Sequence, residues 1–239
     1  MATIYGGSRG VVYAFSVTGN LNEKRKLCKK KKEEKGYRQT MNRQELLHAI
    51  KTYKPYNEQE ERDQVLIANW IEEHEDAFSR ENQVAHVTAS AWVVNKDRSK
   101  VLMVYHNIYD SWSWLGGHAD GETDLLAVAI REVKEEAGLS DVRPVSRDIF
   151  SLESLTVDGH IKKGKYVSSH LHLNVTYLLE ADSDECVSIK ADENSGVAWF
   201  TSEEALKKST EPWFVEHVYT KLIEKERENR IQKLPSFSK

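Results

Sequence analysis

Three glutamates, Glu132, Glu135 and Glu136, lie a short distance after the pair Gly116 and Gly117. In a helix, spacings of three and four residues make their side chains neighbours, and like charges there cost about 0.2–0.5 kcal/mol per pair. A divalent cation would remove this repulsion, so the cluster predicts a metal site. The alternative is a solvated acidic helix face, because 30% of the residues are charged.

The residues around the glutamates predict a helix with defined ends. Gly116 and Gly117 permit a tight turn after an aromatic segment. Thr123 and Asp124 suit a helix N-terminus, and Gly138 suits the position just beyond its C-terminus. An apolar stripe with helical spacing turns the glutamates away from the core, and it consists of Leu126, Ala129, Ile130, Val133 and Ala137.

The segment REVKEEAGL, residues 131–139, resembles the second half of the Nudix box, whose pattern is REUxEExGU with U aliphatic. In the first half, Gly117 matches the glycine, but Thr123 stands where the first glutamate belongs. Glu122 lies one residue early. Either the loop is one residue shorter and the helix one residue longer than in the usual box, or Glu122 and Asp124 share the role of the first box glutamate.

The resemblance to the Nudix (MutT-like) hydrolase family implies an α/β/α sandwich with a mixed sheet. It also implies hydrolysis of the diphosphate bond in a nucleoside diphosphate derivative, by attack of water on phosphorus. Carboxylate oxygens suit Mg²⁺ or Mn²⁺, which neutralise the diphosphate and acidify a bound water. The expected metal ligands are Glu132, Glu135, Glu136 and the carbonyl of Gly116, by similarity to the family.

Two further residues receive supporting or catalytic roles from the same resemblance. Arg131 is expected to orient Glu135, four residues along the helix, or another nearby carboxylate. Glu135, Glu136 and Arg131 therefore form the expected catalytic group of the box. Glu193, in a loop outside the box, is a candidate for a further ligand or general base, and the alternative is a merely solvated loop acid.

Several side chains are candidates for binding the substrate. His118 follows the glycine pair, and together with His170 and His172 it is expected to contact phosphate or to hold a second metal. The alternative is histidines that face solvent on a half-buried strand. Aromatic residues near the turn either stack on a nucleobase or belong to the core, and these are Tyr105, Tyr109, Trp112 and Trp114.

Two other functions compete within this fold. An isopentenyl-diphosphate isomerase-like enzyme also has a Gly-Gly-His turn, but it needs a cysteine near the site, and residues 84–125 contain none. A non-catalytic nucleotide-binding or regulatory Nudix module would be indicated by loss of box glutamates, and the second half of the box retains all three. The catalytic interpretation is therefore favoured.

Size and charge narrow the choice of partners. The 239 residues contain no run of 18 apolar residues and no signal peptide pattern, so we expect a cytoplasmic protein without a membrane span. Two cysteines fit a reducing compartment. Residues 41–239 carry 24 Lys/Arg against 35 Asp/Glu, a poor surface for nucleic acid. A small nucleotide substrate is the expected partner, and a homodimer is possible.

The chain divides into three predicted segments. Residues 1–40 carry ten Lys/Arg against three Asp/Glu and predict a disordered basic tail. The alternatives are a nucleic-acid arm, or a translation start at Met41 that leaves the tail unmade. Residues 41–80 predict a two-helix element, with capping boxes at Asn42 and Asn57, that packs on the core, forms a dimer surface or acts as a lid. We favour packing. Residues 84–230 form the predicted Nudix hydrolase domain.

Within this domain, residues 86–95 and 100–105 predict a hairpin. Two more strands are expected at about 148–160 and 165–180. The second alternates, so that His170, His172, Asn174 and Thr176 share one face. A strand at 196–201 and helices near 202–209 and 212–229 complete the predicted fold.

Overall fold

The computed structural model describes residues 40–162 and 164–232. The predicted basic tail at residues 1–40 and its alternatives fall outside these residues, apart from Thr40. The predicted helical element and the predicted catalytic domain belong to the same compact unit. Among the helices that the structure describes, none combines the length and the apolar character needed to cross a bilayer.

Two N-terminal helices, α1 (Arg43–Thr52) and α2 (Glu58–Glu73), occupy the predicted positions. Asn42 and Glu45 form the expected capping box of α1. The capping box predicted for α2 is wrong, because Asn57 accepts from the amide of Glu60 but the Glu60 side chain does not return the bond. Glu60 instead turns into the protein, where its carboxylate accepts a hydrogen bond from the Tyr53 hydroxyl at 2.6 Å.

A mixed sheet of eight strands forms the centre of the fold. The predicted hairpin is β1 (Ala85–Asn95) and β2 (Lys100–His106). The long strand β9 (His170–Ala181) runs parallel to β1, with His86 opposite His172. The other members are β3 (Ser111–Ser113), β4 (Leu115–His118), β5 (Val142–Pro144), β6 (Ser151–Val157) and β10 (Asn194–Thr201).

Each of the two strands expected at 148–160 and 165–180 is divided in two. Besides β6 and β9, a separate hairpin of β7 (His160–Lys162) and β8 (Lys165–Val167) projects between them. The helices that follow the sheet strands are α3 (Leu125–Ala137), α4 (Ser202–Lys208), the single turn α5 (Pro212–Phe214) and α6 (Thr220–Gln232), with a π-helical stretch at Val215–Tyr219.

Two apolar cores lie on the two faces of the sheet. One core contains Leu46, Ile67 and Val133 from α1, α2 and α3, packed with sheet residues such as Val175. The other contains Trp92 of the sheet and Leu222 of α6. The predicted α/β/α sandwich with a mixed sheet is confirmed, and the N-terminal helices contribute to its first core.

Buried polar residues connect the layers. Asn174 and Thr176, which the alternation placed on the same face as the histidines, are almost completely buried. Both donate to the carboxylate of Glu153 on β6, at 3.0 and 2.8 Å. Lys221 of α6 donates to the same carboxylate at 3.0 Å.

Glu60 of α2 occupies a similar position. Its side chain has no exposed surface, and Lys225 and Lys221 lie 2.7 and 3.3 Å from its Oε1 atom. Burial alone would raise the pKa of Glu60, but the two lysines outweigh it, so the pKa is lowered. The two carboxylates and two lysines form a buried ion cluster that joins α2, β6 and α6.

We expect Lys221→Met to destabilise the protein by about 3–5 kcal/mol, because it leaves two buried carboxylates with one lysine between them. Urea unfolding at pH 7 measures the change. Lys51→Met is the matched control, since its ion pair with Glu72 is nearly half-exposed and contributes less than about 1 kcal/mol. Equal unfolding midpoints for the two variants would contradict the role given to the buried cluster.

Candidate active site

Gly116 and Gly117 do not form the predicted tight turn, because both lie within strand β4, directly beside the central strand β1. Strand β4 pairs antiparallel with β1, and Ser90 faces Gly116. A Cβ atom on Gly116 would lie 2.6 Å from the Ala89 carbonyl oxygen, closer than the atoms allow. This close approach explains why a glycine stands at this position of β4.

Helix α3 has the predicted ends. Asp124 is its N-cap and accepts from the Ala127 amide at 3.2 Å. Gly138 ends the helix with φ of 71°, a left-handed conformation that suits glycine. Thr123 does not cap the helix, because its hydroxyl donates to the Met41 carbonyl at 2.8 Å. The N-terminal segment is thus tied to the loop before the site.

The three box glutamates differ in their surroundings. Glu136 is buried and accepts from the Gly116 amide at 3.2 Å. The Glu132 carboxylate lies against Gly117, where a Cβ atom would be 2.5 Å from its Cδ. Glu135 is nearly half-exposed. The helix therefore presents one buried, one partly buried and one solvated carboxylate, and the first two contact the glycines of β4.

Arg131 contacts three carboxylates. It forms an ion pair with Glu122 and lies 3.4 Å from Glu132 and 3.9 Å from Glu135. The expected contact with Glu135 is the longest of the three. Glu122, which lies one residue before the position of the first box glutamate, thus contacts the helix through Arg131. Asp124 serves as the N-cap instead.

The loop before β10 brings Glu193 to the box helix. Lys190 lies between the two segments, with its Nζ atom 2.9 Å from Glu193 and 3.4 Å from Glu135. The Asn194 side chain donates to the Glu136 carbonyl at 3.0 Å and fixes the loop on the helix. Lys190 and Asn194 belong to no motif, and their contacts span 55 and 58 residues, so sequence reasoning missed both.

The electrostatics of the cluster favour a cation. Burial raises the pKa of Glu136 to about 8, Glu132 and Glu193 add to this rise, and the hydrogen bond from the Gly116 amide opposes it. Burial also raises the pKa of Glu132. Oxygen donors without histidine or cysteine form the ligand set that Mg²⁺ and Mn²⁺ prefer. The residues present therefore fit the metal that the box implies.

A cavity of about 360 Å³ borders His118, at the end of β4, and its lining residues do not include the box glutamates. His118 and His172, both predicted to contact substrate, line it together with His170 and Tyr109. Sequence reasoning missed His86, which lines the same cavity and stacks on His170 with a ring separation of 4.9 Å. No pattern in the sequence connects His86 to the others, because the parallel pairing of β1 and β9 brings them together.

Burial lowers the pKa of His118 to about 3 and that of His172 to about 2. Both imidazoles are therefore neutral near pH 7. A neutral ring offers a lone pair or a hydrogen bond, but it does not attract phosphate by charge. The cationic side chains on the cavity wall are Arg80 and Lys162.

The remaining aromatic candidates lie away from the cavity wall. Trp114 is buried, with its ring edge-on to Phe214 at 6.3 Å and to Tyr219 at 6.0 Å. Trp112 packs edge-on against Phe200 at 4.8 Å and against Tyr105 at 5.6 Å. The structure thus groups the two tryptophans and Tyr105 with protein rings, which is the core alternative.

A family model described as the NUDIX domain matches residues 84–222. The chain belongs to the Nudix family. This membership confirms the predicted recognition and the predicted class of enzyme, a hydrolase of phosphorus-containing acid anhydrides. Among curated proteins, none matches the chain.

One solved structure with a similar fold is a C. elegans Ap4A hydrolase in a binary complex, which is 21% identical to this chain. The alignment covers 61% of this chain and 98% of that chain, and the TM-score is 0.44. The E. coli dihydroneopterin triphosphate pyrophosphohydrolase is 18% identical, with 57% and 94% covered and a TM-score of 0.43. The NUDIX domain of Shewanella oneidensis NrtR, complexed with ADP ribose, is 15% identical, with 68% and 97% covered and a TM-score of 0.43.

We expect Gly117→Ala to weaken Mn²⁺ binding by about tenfold or more, because the new methyl group displaces the Glu132 carboxylate. Stability should change little, since a flexible side chain can move. Gly121→Ala, in the loop that follows β4, is the control: its Cβ meets nothing within 4 Å, but its φ of 89° strains any other residue, at about 1–2 kcal/mol. Calorimetric Mn²⁺ titration and urea unfolding of both variants test this, and equal Mn²⁺ affinities would contradict it.

Proposed function

We propose that this Nudix protein hydrolyses the diphosphate bond of a nucleoside diphosphate derivative in a reaction that depends on Mg²⁺ or Mn²⁺. The observation that carries the proposal is the contact of Glu132 and Glu136 with the glycines of β4, with Glu135 on the same helix and Glu193 joined to it through Lys190. Four carboxylates share two cationic partners, Arg131 and Lys190, among the described residues, and they belong to Glu122, Glu132, Glu135 and Glu193. A divalent ion would balance the excess negative charge.

Glu132, Glu135, Glu136 and the Gly116 carbonyl are the proposed ligands of the ion. When bound, such an ion neutralises phosphate oxygens and lowers the pKa of a coordinated water. The Gly116 amide orients the Glu136 carboxylate, and Arg131 holds Glu132 and Glu135 by its ion pairs. Arg131 is therefore a positioning residue, and the catalytic chemistry is proposed for the glutamates.

Glu193 is the proposed general base, or a further ligand. Its carboxylate is partly exposed, so water can approach it, and the contact with Lys190 holds it near Glu135. The Glu193 carbonyl also accepts from the Asn107 amide at 3.1 Å, which links the loop to the end of β2. The base would accept the proton of the water that attacks phosphorus.

The cavity that borders His118 is the proposed substrate site. The ring of Tyr109 stacks on His106 at 4.4 Å and borders the cavity, where an aromatic face can hold a nucleobase. Arg80 and Lys162 supply positive charge for phosphate groups. His118 and His172 are proposed to contact the substrate as neutral groups. The cytoplasmic location, the absence of a nucleic-acid partner and the homodimer remain predictions.

Hydrolysis of the diphosphate bond yields two phosphate monoesters, so the reaction is tested over a panel of nucleoside diphosphate derivatives with Mg²⁺ or Mn²⁺ by measuring the phosphate that added alkaline phosphatase releases from the products. We expect turnover of at least one member, and a loss of about 100-fold or more in Glu135→Gln, because removal of a metal-ligand carboxylate forfeits several kcal/mol of transition-state stabilisation. Glu203→Gln, an exposed helix position, is the matched control. Equal turnover in wild type and Glu135→Gln would defeat the proposal.

For Glu193→Gln we expect kcat to fall by about 10²–10⁴-fold, the contribution typical of a general base. The acidic limb of the pH profile of kcat should also disappear. Lys190→Gln serves as the control, because it removes the partner of Glu193 and keeps the carboxylate. Full turnover with an unchanged pH profile in Glu193→Gln would remove this residue from the mechanism.

A further inference from the structure

Four histidines meet at one end of the sheet, apart from the carboxylate cluster. His86 lies near the start of β1, and His170 and His172 lie at the start of β9. His118 ends β4 and completes the group. The ring of His86 lies within 5.1 Å of the rings of all three others, measured between centroids. Four imidazoles from three strands therefore share one end of the cavity.

The backbone fixes which nitrogen of two rings is free. The Nδ1 atom of His86 lies 3.0 Å from the Asn82 carbonyl, and that of His170 lies 2.8 Å from the Ser168 carbonyl. A carbonyl only accepts, so each Nδ1 carries the proton and each Nε2 keeps its lone pair. This is the orientation that metal-binding histidines adopt when a carbonyl holds the other nitrogen.

The free nitrogen of His86 has no partner. The residue is 4% exposed, and its Nε2 atom is buried and without a hydrogen bond in the structure. A buried polar atom left unsatisfied costs about 1–3 kcal/mol. A hydrogen bond between His170 and His172 would account for their Nε2 atoms, which lie 3.2 Å apart, but it leaves His86 unsatisfied.

The spacing of the nitrogens suits one small ion. In His86, His170 and His172, one ring nitrogen of each lies within 4.8 Å of the other two. With Zn–N bonds of about 2.0–2.1 Å and tetrahedral angles, ligand nitrogens are separated by roughly 3.3–3.4 Å. The 3.2 Å separation between His170 and His172 is already close to this value. A small closing movement of the rings would bring His86 to the same distance.

We propose that His86, His170 and His172 bind a zinc-class divalent ion at a site separate from the carboxylate cluster. Three neutral imidazoles select Zn²⁺, Co²⁺ or Ni²⁺ over Mg²⁺, which prefers oxygen. Three protein ligands leave a fourth position on the cavity side, for water or for His118. The ion would also join β1 to β9 where their parallel pairing begins.

Metal content tests the proposal without reference to activity. Protein stripped with a chelator is dialysed against Zn²⁺ in excess Mg²⁺, and bound zinc is counted by mass spectrometry. We expect one zinc per chain, and a loss of affinity of about 100-fold or more in His172→Gln and in His86→Gln. His160→Gln, on the same cavity wall, and Glu135→Gln should retain the zinc.

Cobalt substitution of the wild-type chain gives a second readout that does not depend on the folding of a variant. A four-coordinate Co²⁺ site with nitrogen ligands produces intense visible bands, whereas six-coordinate Co²⁺ at carboxylates produces faint ones. Intense bands that Zn²⁺ displaces support the proposal. It is overturned if no zinc binds, if only faint bands appear, or if zinc is lost in Glu135→Gln and kept in His172→Gln. Zinc retained by an inactive Glu135→Gln protein separates this site from the proposed catalytic one.

Discussion

Neutralisation of two fully buried carboxylates is the constraint on which the rest of the structure depends. Glu60 and Glu153 come from α2 and β6, and both lysines that neutralise them come from α6. Neither carboxylate can be desolvated before the last helix docks, because an unpaired buried charge is strongly unfavourable. The N-terminal helices, the sheet and the C-terminal helix are therefore interdependent.

The same constraint extends to the candidate active site. Asn174 donates to Glu153 and accepts, through its Oδ1 atom, from Thr88 and Ser90 at 2.9 Å each. Ser90 is the residue against which Gly116 packs. A continuous chain of polar contacts thus leads from the ion cluster to the part of β1 that pairs with the glycines of β4.

Capping residues and alternating polarity, which act between near neighbours in the sequence, predicted many of the helices and strands. Helix α3 ends at Gly138, and the first hairpin turns at the expected residues, because capping and alternation act over a few positions. Contacts between distant residues were not predictable in this way. Alternation alone could not show that Asn174 and Thr176 face a buried carboxylate, since Glu153 and Lys221 are remote in sequence. His86, Lys190 and Asn194 were missed for the same reason, and Glu60 left its expected capping role for the interior.

Lys190 gives the acidic region a resident cation of its own. Its ammonium group bridges the carboxylates of Glu135 and Glu193 and is anchored in a loop that Asn194 fastens to the box helix. A metal ion that binds in that region would therefore replace the Lys190 ammonium group. The displaced group would stay nearby, because its loop is fixed to the helix.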